Sequence, residues 1–116
     1  MAFSEFEAAR ARKVVGAFVE ARRPPAHVRP QLDIGYRIAG QSVEIFEIRP
    51  VWRGKPGETR ERSVAKATYV RTVDQWRVFW MRSDLKWHGY APVPAVDTVE
   101  AFVDLVREDP WACFWG

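Results

Sequence analysis

Apolar positions recur at helical spacing over residues 4–22. At 100° per residue, Phe3, Phe6, Val14, Ala17, Phe18 and Ala21 share one face, and Glu7 and Arg10 fall on it too. Arg12, Arg22 and Arg23 lie on its flanks or outside it. Ser4 and Glu7 stand at capping-box spacing and predict the helix start. Pro24-Pro25 predicts its end, because proline has no N–H to continue the ladder.

From residue 31 the period drops to two. Leu32, Ile34, Tyr36 and Ile38 alternate with Asp33, Gly35 and Arg37, which predicts a half-buried strand over 31–39. Gly40, Gln41 and Ser42 predict a hairpin turn into a second strand over 43–52. Residues 53–62 (RGKPGETRER) carry turn chemistry and charge throughout and predict an exposed, mobile loop. Two further strands, 63–72 and 75–83, flank a tight turn at Val73-Asp74. The last has Trp76, Val78 and Trp80 on one face and Phe79 and Met81 on the other, the mark of a central strand. Residues 84–96 read as a proline-containing connection. Asp97 and Glu100 form a second capping-box pair, after which Val99, Phe102, Val103 and Val106 share a helical face ending near Glu108. The predicted order is α-β-β-β-β-α. It implies an α+β fold, a four-stranded antiparallel meander with an N-terminal and a C-terminal helix packed on one face, in one domain spanning 1–116.

Composition agrees with a packed domain: 116 residues, 47% hydrophobic and 28% charged. The closing stretch, Asp109 to Gly116, holds two of the six tryptophans. An end this apolar is expected to dock into the domain or onto a partner, and to mark the natural end of the protein. A single cysteine, Cys113, excludes an internal disulfide and fits a reducing compartment. The first residues lack an apolar leader core, and no run approaches the length of a membrane span, so the expected location is cytoplasmic. Net charge is +3 with a sequence pI near 9.4. Residues 1–62 carry 12 Lys+Arg against 8 Asp+Glu, and the rest 6 against 7. The excess in the first half points towards an anionic partner, although a solvated basic face gives the same asymmetry.

Three strings accumulate a family likeness: VEIFEIRPVW, VAKATYVRTVDQWRVFWMRSDLKWHGY and VREDPWACFWG. They resemble a family of small bacterial proteins described only as a domain of unknown function. The most specific parts are the AKA–W–WMR–DLKWH–Y succession and the DPWACFWG tail, and the likeness covers about residues 5–116. The resemblance implies a stand-alone bacterial protein. It brings no reaction, cofactor or catalytic residue with it.

Three constellations hold candidate chemistry. Asp84, Lys86, His88 and Tyr90 fall at every second position; in an extended segment all four project to one side, with His88 as a general base or metal ligand. The alternative is a buried loop whose His and Tyr satisfy backbone groups. Glu7, Asp33, Glu47 and Arg49 follow the layout of a metal-dependent nuclease, carboxylates for a divalent ion and a cation to steady charge. Here arginine replaces the usual lysine and Pro50 follows at once, and pairing of Glu47 and Arg49 with neighbours such as Lys66 or Arg10 is the more ordinary explanation. Third, Arg71, Trp76, Arg77, Trp80, Arg82, Lys86 and Trp87, with Arg49, Trp52, Arg53 and Lys55, interleave bases and aromatics as nucleic-acid binders do. Spacing on a central strand assigns Trp76 and Trp80 to the core, and leaves Trp52, beside the charged loop, as the exposed stacker.

No glycine-rich phosphate loop, cysteine pair for zinc or serine nucleophile elbow is present. Two histidines, His27 and His88, do not make a multi-histidine centre. The element order approaches that of double-stranded-RNA binders, but the last helix opposes Asp97, Glu100, Asp104, Glu108 and Asp109 to Arg107 alone. The reading that results is a non-catalytic module for nucleic acid or another polyanion, using Arg12, Arg22, Arg23, Trp52, Arg53 and Lys55, without cofactor, resident metal or membrane. The alternatives are a metal-dependent nuclease-like enzyme and a homodimeric interaction domain.

Overall fold

The structure, a computed structural model, describes residues 3–115. Helix α1 spans Glu5–Arg22, strand β1 Asp33–Ala39, β2 Ser42–Pro50 and β3 Thr59–Val70. A 3₁₀ turn, Arg71–Val73, leads into β4, Gln75–Met81. Two short strands, β5 (Trp87–Gly89) and β6 (Ala95–Val96), precede helix α2, Val99–Glu108. The fold is α+β, an antiparallel sheet preceded in the chain by one helix and followed by another. Its strand order is β1-β2-β3-β4-β5, with β6 also pairing β4. The sheet therefore has six strands and not four. The extra two lie within 84–96, where strands of three and two residues are too short to show an alternation.

Both helices cover the same face. Ala11, Val15, Phe18 and Val19 of α1 and Val99, Phe102, Val103 and Val106 of α2 meet Ile34, Val43, Ile45, Ala65, Ala67, Trp76 and Val78 of the sheet in one core. The helices run parallel. Arg10 pairs with Glu100 near their starts, the Arg107 guanidinium lies 5.5 Å from the Phe18 ring further on, and Arg22 stacks on Trp115 at their ends. Gly16 lets α1 approach the sheet, since a Cβ there would stand 3.1 Å from the Tyr36 hydroxyl oxygen.

The Ser4–Glu7 capping box forms. The buried face of α1 is nevertheless rotated from the predicted one: Ala17 and Ala21 are exposed, and Phe6 is 80% exposed. Alanines spread around α1 blur its apolar stripe, and the β-branched pair Val15 and Val19 settles which side packs. At α2 the face is as predicted, but the cap is Thr98, whose hydroxyl accepts from the Ala101 N–H at 3.1 Å, and not Asp97. Asp97 takes the Gln75 amide instead.

The predicted loop 53–62 is also shorter, because Thr59 to Arg62 belong to β3 and pair with β2 as far as Pro50. Thr-Arg-Glu-Arg presents no apolar alternation, so its strand character is invisible in the sequence. Midway along β3 the register slips: Ile45 faces Ala65 while Phe46 faces Ser63. Val64 is the extra residue of a β-bulge, which explains why the adjacent Val64 and Ala65 are both buried. Pairing with β4 starts at Ala65, opposite Trp80. Beyond the bulge β3 has β2 as its only neighbour, while β1 still pairs with β2 as far as Ile48. From Arg49 and Arg60 outward the two strands run on as a two-stranded arm tipped by residues 51–58.

The aromatic tail docks within its own chain through Phe114 and Trp115, whereas Trp111 is 65% exposed; Gly116 lies outside the described residues. Asp109 is left-handed at φ 41° and ends α2. Its carboxylate accepts the backbone N–H groups of Phe114 (3.1 Å) and Trp115 (3.0 Å). The Trp115 indole donates to the Val106 carbonyl at 2.9 Å, and Phe114 stacks on Tyr90 with centroids 4.8 Å apart. Asp109→Ala removes both acceptors, and we expect about 1–3 kcal/mol lost from unfolding stability. Urea unfolding followed by tryptophan emission checks this, with Asp109→Asn, which keeps one acceptor oxygen, falling in between.

Candidate functional site

The four acidic-set residues do not converge. Glu7, in the first turn of α1, takes a bidentate pair from Arg71, at 2.8 and 2.9 Å. Asp33, at the start of β1, takes another from Arg23, both bonds 2.9 Å, plus the Ile34 N–H at 2.8 Å. Arg23 is the C-cap of α1, so Glu7 and Asp33 are engaged at opposite ends of that helix, about 24 Å apart at 1.5 Å rise per residue. Glu47 is 6% exposed and is held by Arg62 at 2.9 Å and Arg49 at 3.4 Å. Glu47 lies opposite Ile34, and Asp33 opposite Ile48, so alternation turns the two carboxylates to opposite faces. Among the described residues no group of three or more His, Cys, Asp or Glu is placed to hold a metal ion. The nuclease geometry is not formed; each acid neutralises a neighbouring arginine instead.

These pairs set protonation. Hydrogen bonds from Arg71, with help from Ser4, hold the Glu7 carboxyl below the usual carboxylate range. The Arg23 guanidinium does the same for Asp33, against a smaller opposing effect of burial.

The second constellation is partly assembled. β4 and β5 form a hairpin in which His88 faces Trp80. The His88 ring lies 2.8 Å from Asp84 Oδ2, and Asp84 Oδ1 accepts the Lys86 N–H at 3.0 Å. The bond to His88 lowers the Asp84 pKa. Lys86 is exposed and contributes only its backbone to this cluster. Tyr90 does not join it: the turn at Leu85 (φ 62°) breaks the assumed extended run, and Tyr90 is fully buried against Phe114. Its hydroxyl has no hydrogen-bond partner among the described residues, and burial raises its pKa. Burial and the charge of Asp109 raise the Cys113 thiol as well, which keeps it protonated.

Trp76 is buried and Trp80 packs against the core, so neither offers a free face. Arg71 is held by Glu7, and Arg82 lies 5.4 Å from the Trp80 ring. On the helix-free face Lys66 sits 4.9 Å from both the Phe79 and the Trp87 ring, and Arg37 covers Phe46 at 4.4 Å. Arg37 also pairs with Glu61 and Glu44, so this face balances much of its own charge.

The arm differs. Trp52 at its tip is 81% exposed, with the Arg53 guanidinium 4.4 Å from its ring, and Lys55 is exposed beside it. Residues 49–62 hold five basic and two acidic side chains, a charge of +3 equal to the net charge of the whole chain. The remainder of the protein is therefore electrically balanced. Arg60 and Arg62, which the predicted loop did not single out, extend the basic strip down β3, and only the pairing with β2 reveals them. Of the helix arginines proposed with this set, Arg22 and Arg23 lie at the arm's base. Arg22 stacks 3.9 Å over Trp115 and Arg23 is bound to Asp33. Arg12 is exposed but stands about 15 Å further back along α1.

At the opposite end, where both helices start, Glu7, Asp74, Asp97, Tyr69, Trp76 and Phe6 line a cleft of about 240 Å³. Glu7 in the first turn of α1 and Asp97 just before the Thr98 cap of α2 sit at helix N-termini, where the macrodipole favours negative charge, and Asp74 caps the end of the 3₁₀ turn.

A family model described as Domain of unknown function (DUF3024) matches residues 3–116, and the chain belongs to that family. No curated protein and no solved structure matches it. No helix is long and apolar enough to cross a membrane.

The Asp33–Arg23 pair has a pH signature. Because the folded pKa of Asp33 is depressed, its contribution is fully present above the unfolded value, about 3.9, and is lost as pH falls through the folded one. Asp33→Asn is expected to lower stability at neutral pH and to flatten the loss below about pH 4. Urea midpoints measured from pH 2 to 7 test it.

Proposed function

We propose that the protein is a non-catalytic binding module for nucleic acid, engaging the polyanion through the β2–β3 arm. The observation that carries this reading is the location of charge: the arm holds the whole net charge of +3 and ends in an exposed tryptophan stacked with an arginine. A two-stranded ribbon with a flat aromatic tip and flanking guanidiniums is suited to a phosphate backbone. The cations attract the chain and Trp52 supplies a stacking face that any base can use. Catalysis receives no comparable support, since the candidate acids are each bound to arginine. The exposed large apolar residues Phe6, Trp52, Val73, Leu85 and Trp111 are scattered over α1, the arm tip, the 3₁₀ turn, the β4–β5 turn and the tail, which gives a homodimer no comparable support.

Labelled single- and double-stranded DNA and RNA, titrated by fluorescence anisotropy at 50 and 200 mM salt, provide the test. Affinity is expected to fall steeply with salt. Trp52→Ala should weaken single-strand binding about tenfold, from the 1–3 kcal/mol of a stacked base. Arg53→Glu with Lys55→Glu should abolish it. An interaction indifferent to salt, or unchanged in both variants, refutes the arm as the interface.

A further inference from the structure

The bulge at Val64 opens a notch that no sequence motif announces. Up to Ala65 the strands β3 and β4 pair; below it β3 follows β2 into the arm and leaves β4 behind. A cavity of about 560 Å³ fills the gap, with Phe114 among its lining. Arg60 and Arg62 line it from β3, and Arg82 from the start of the β4–β5 turn. Ser63 and Ser83 add a hydroxyl from each side. Glu61 also borders it, but pairs with Arg37. Arg62 is held by Glu47, whereas Arg60 and Arg82 have no ion-pair partner among the described residues. Because Thr59 to Ser63 pair with β2 alone, part of their backbone N–H and C=O groups faces away from it, towards the gap. Guanidinium groups from both strands, two hydroxyls and backbone N–H groups at the edge make donors outnumber the one carboxylate, Glu61, which is engaged by Arg37. A tetrahedral anion satisfies such a set, since arginine binds phosphate oxygens in a fork.

We propose that this notch seats a phosphodiester group of the nucleic-acid strand engaged by the arm. The proposal rests on the arm reading above and adds a fixed contact point about one bulge away from its tip. The strand would pass from Trp52 along the basic side of β3 and be pinned where β3 leaves β4. An acidic peptide adding as an extra strand to the free edge of β3 is the competing occupant. The charge set favours phosphate, because Arg60 and Arg82 project from facing walls rather than along one strand edge.

The test uses the full chain, ¹⁵N-labelled, with two probes: sodium tripolyphosphate at constant ionic strength and a labelled oligothymidylate. The variants are Arg60→Ala/Arg82→Ala and the tip variant Trp52→Ala; preserved amide spectra establish that both fold. We expect tripolyphosphate to shift the amides of Ser63, Arg82 and Ser83 in the parent protein and not in the notch variant. The notch variant should bind the oligonucleotide about tenfold more weakly, with its salt slope reduced by about one, as loss of one to two phosphate contacts predicts. Trp52→Ala should lose affinity with its slope unchanged. If the oligonucleotide binds the notch variant with the parent's affinity and slope, the notch is not a phosphate seat although the arm reading stands. If the parent binds no oligonucleotide, the arm reading falls and the strand seat with it. If an acidic peptide moves the Thr59–Ser63 amides and tripolyphosphate does not, the notch belongs to strand addition and the proposal is overturned.

Discussion

β3 carries one residue more than β2 can match, at Val64, and much of the molecule is arranged around that mismatch. Above it β3 is an ordinary central strand, whose small residues Ala65 and Ala67 are fully buried beneath the helices. Below it the same strand has a single neighbour. A bulge bends its strand and strengthens the local twist, so the extra residue separates the half of β3 that lies between two strands from the half that has β2 alone. It also resets the alternation. Arg62 arrives opposite Glu47 on the helix side, and the buried carboxylate gains its partner from the neighbouring strand. Without that partner, an acid only 6% exposed would be a costly feature of β2.

The charges within the folded body follow one pattern: each candidate catalytic acid has an arginine of its own. Glu7 joins α1 to the start of the 3₁₀ turn through Arg71, and Asp33 joins the end of α1 to β1 through Arg23. Glu47 joins β2 to β3 through Arg62. The last two clasp consecutive elements, and the first ties α1 to a turn 64 residues away. Bidentate geometry makes Glu7–Arg71 and Asp33–Arg23 better defined than an ordinary surface pair. Such pairing is also why acidic residues at nuclease-like sequence intervals say little by themselves. The interval fixes chain separation, while the strand register decides whether side chains share a face.

The sequence was most legible where one side of an element is buried. Alternation located β1, β2 and β4 to within a few residues, and the 3.6-residue period identified the buried face of α2 completely. It failed where the signal is weak for a physical reason. Ala17 and Ala21 fit inside or outside a helix with little difference in energy, so the predicted face of α1 was turned away from Val15 and Val19. Asp97 and Glu100 have capping-box spacing, but the extended backbone of Thr98 places its hydroxyl on the Ala101 N–H and starts the helix one residue later. The strip Thr59 to Arg62 is strand because β2 pairs with it, a tertiary cause that local propensity does not contain. Of the candidate site, Trp52, Arg53 and Lys55 were legible as an exposed group. Arg60, Arg62 and the gap beside them were not, because they depend on the bulge. The tail was legible as apolar, and its anchor, Asp109, was read only as the end of a helix.

The two helices give a reason why the basic ribbon leaves the body where it does. They lie parallel, so both N-termini meet at one end of the molecule and both C-termini at the other. Parallel macrodipoles add, leaving partial positive charge at the first end and partial negative charge at the second. Acidic side chains answer at the first end: Glu5 and Glu7 in the opening turn of α1, and Glu100 in that of α2. At the second end the last-turn residues Arg22 and Arg107 answer, and Arg23, Arg49 and Arg62 gather there through Asp33 and Glu47. The arm thus grows from the end where cations are already favoured. The aromatic tail closes the same end, with Trp115 beneath Arg22 and Phe114 beside the notch. A polyanion approaching this protein meets a face on which the macrodipoles are screened, the body is neutral, and the excess positive charge projects outward on two strands. That separation lets the body keep its internal ion pairs while the ribbon's cations remain available to a partner.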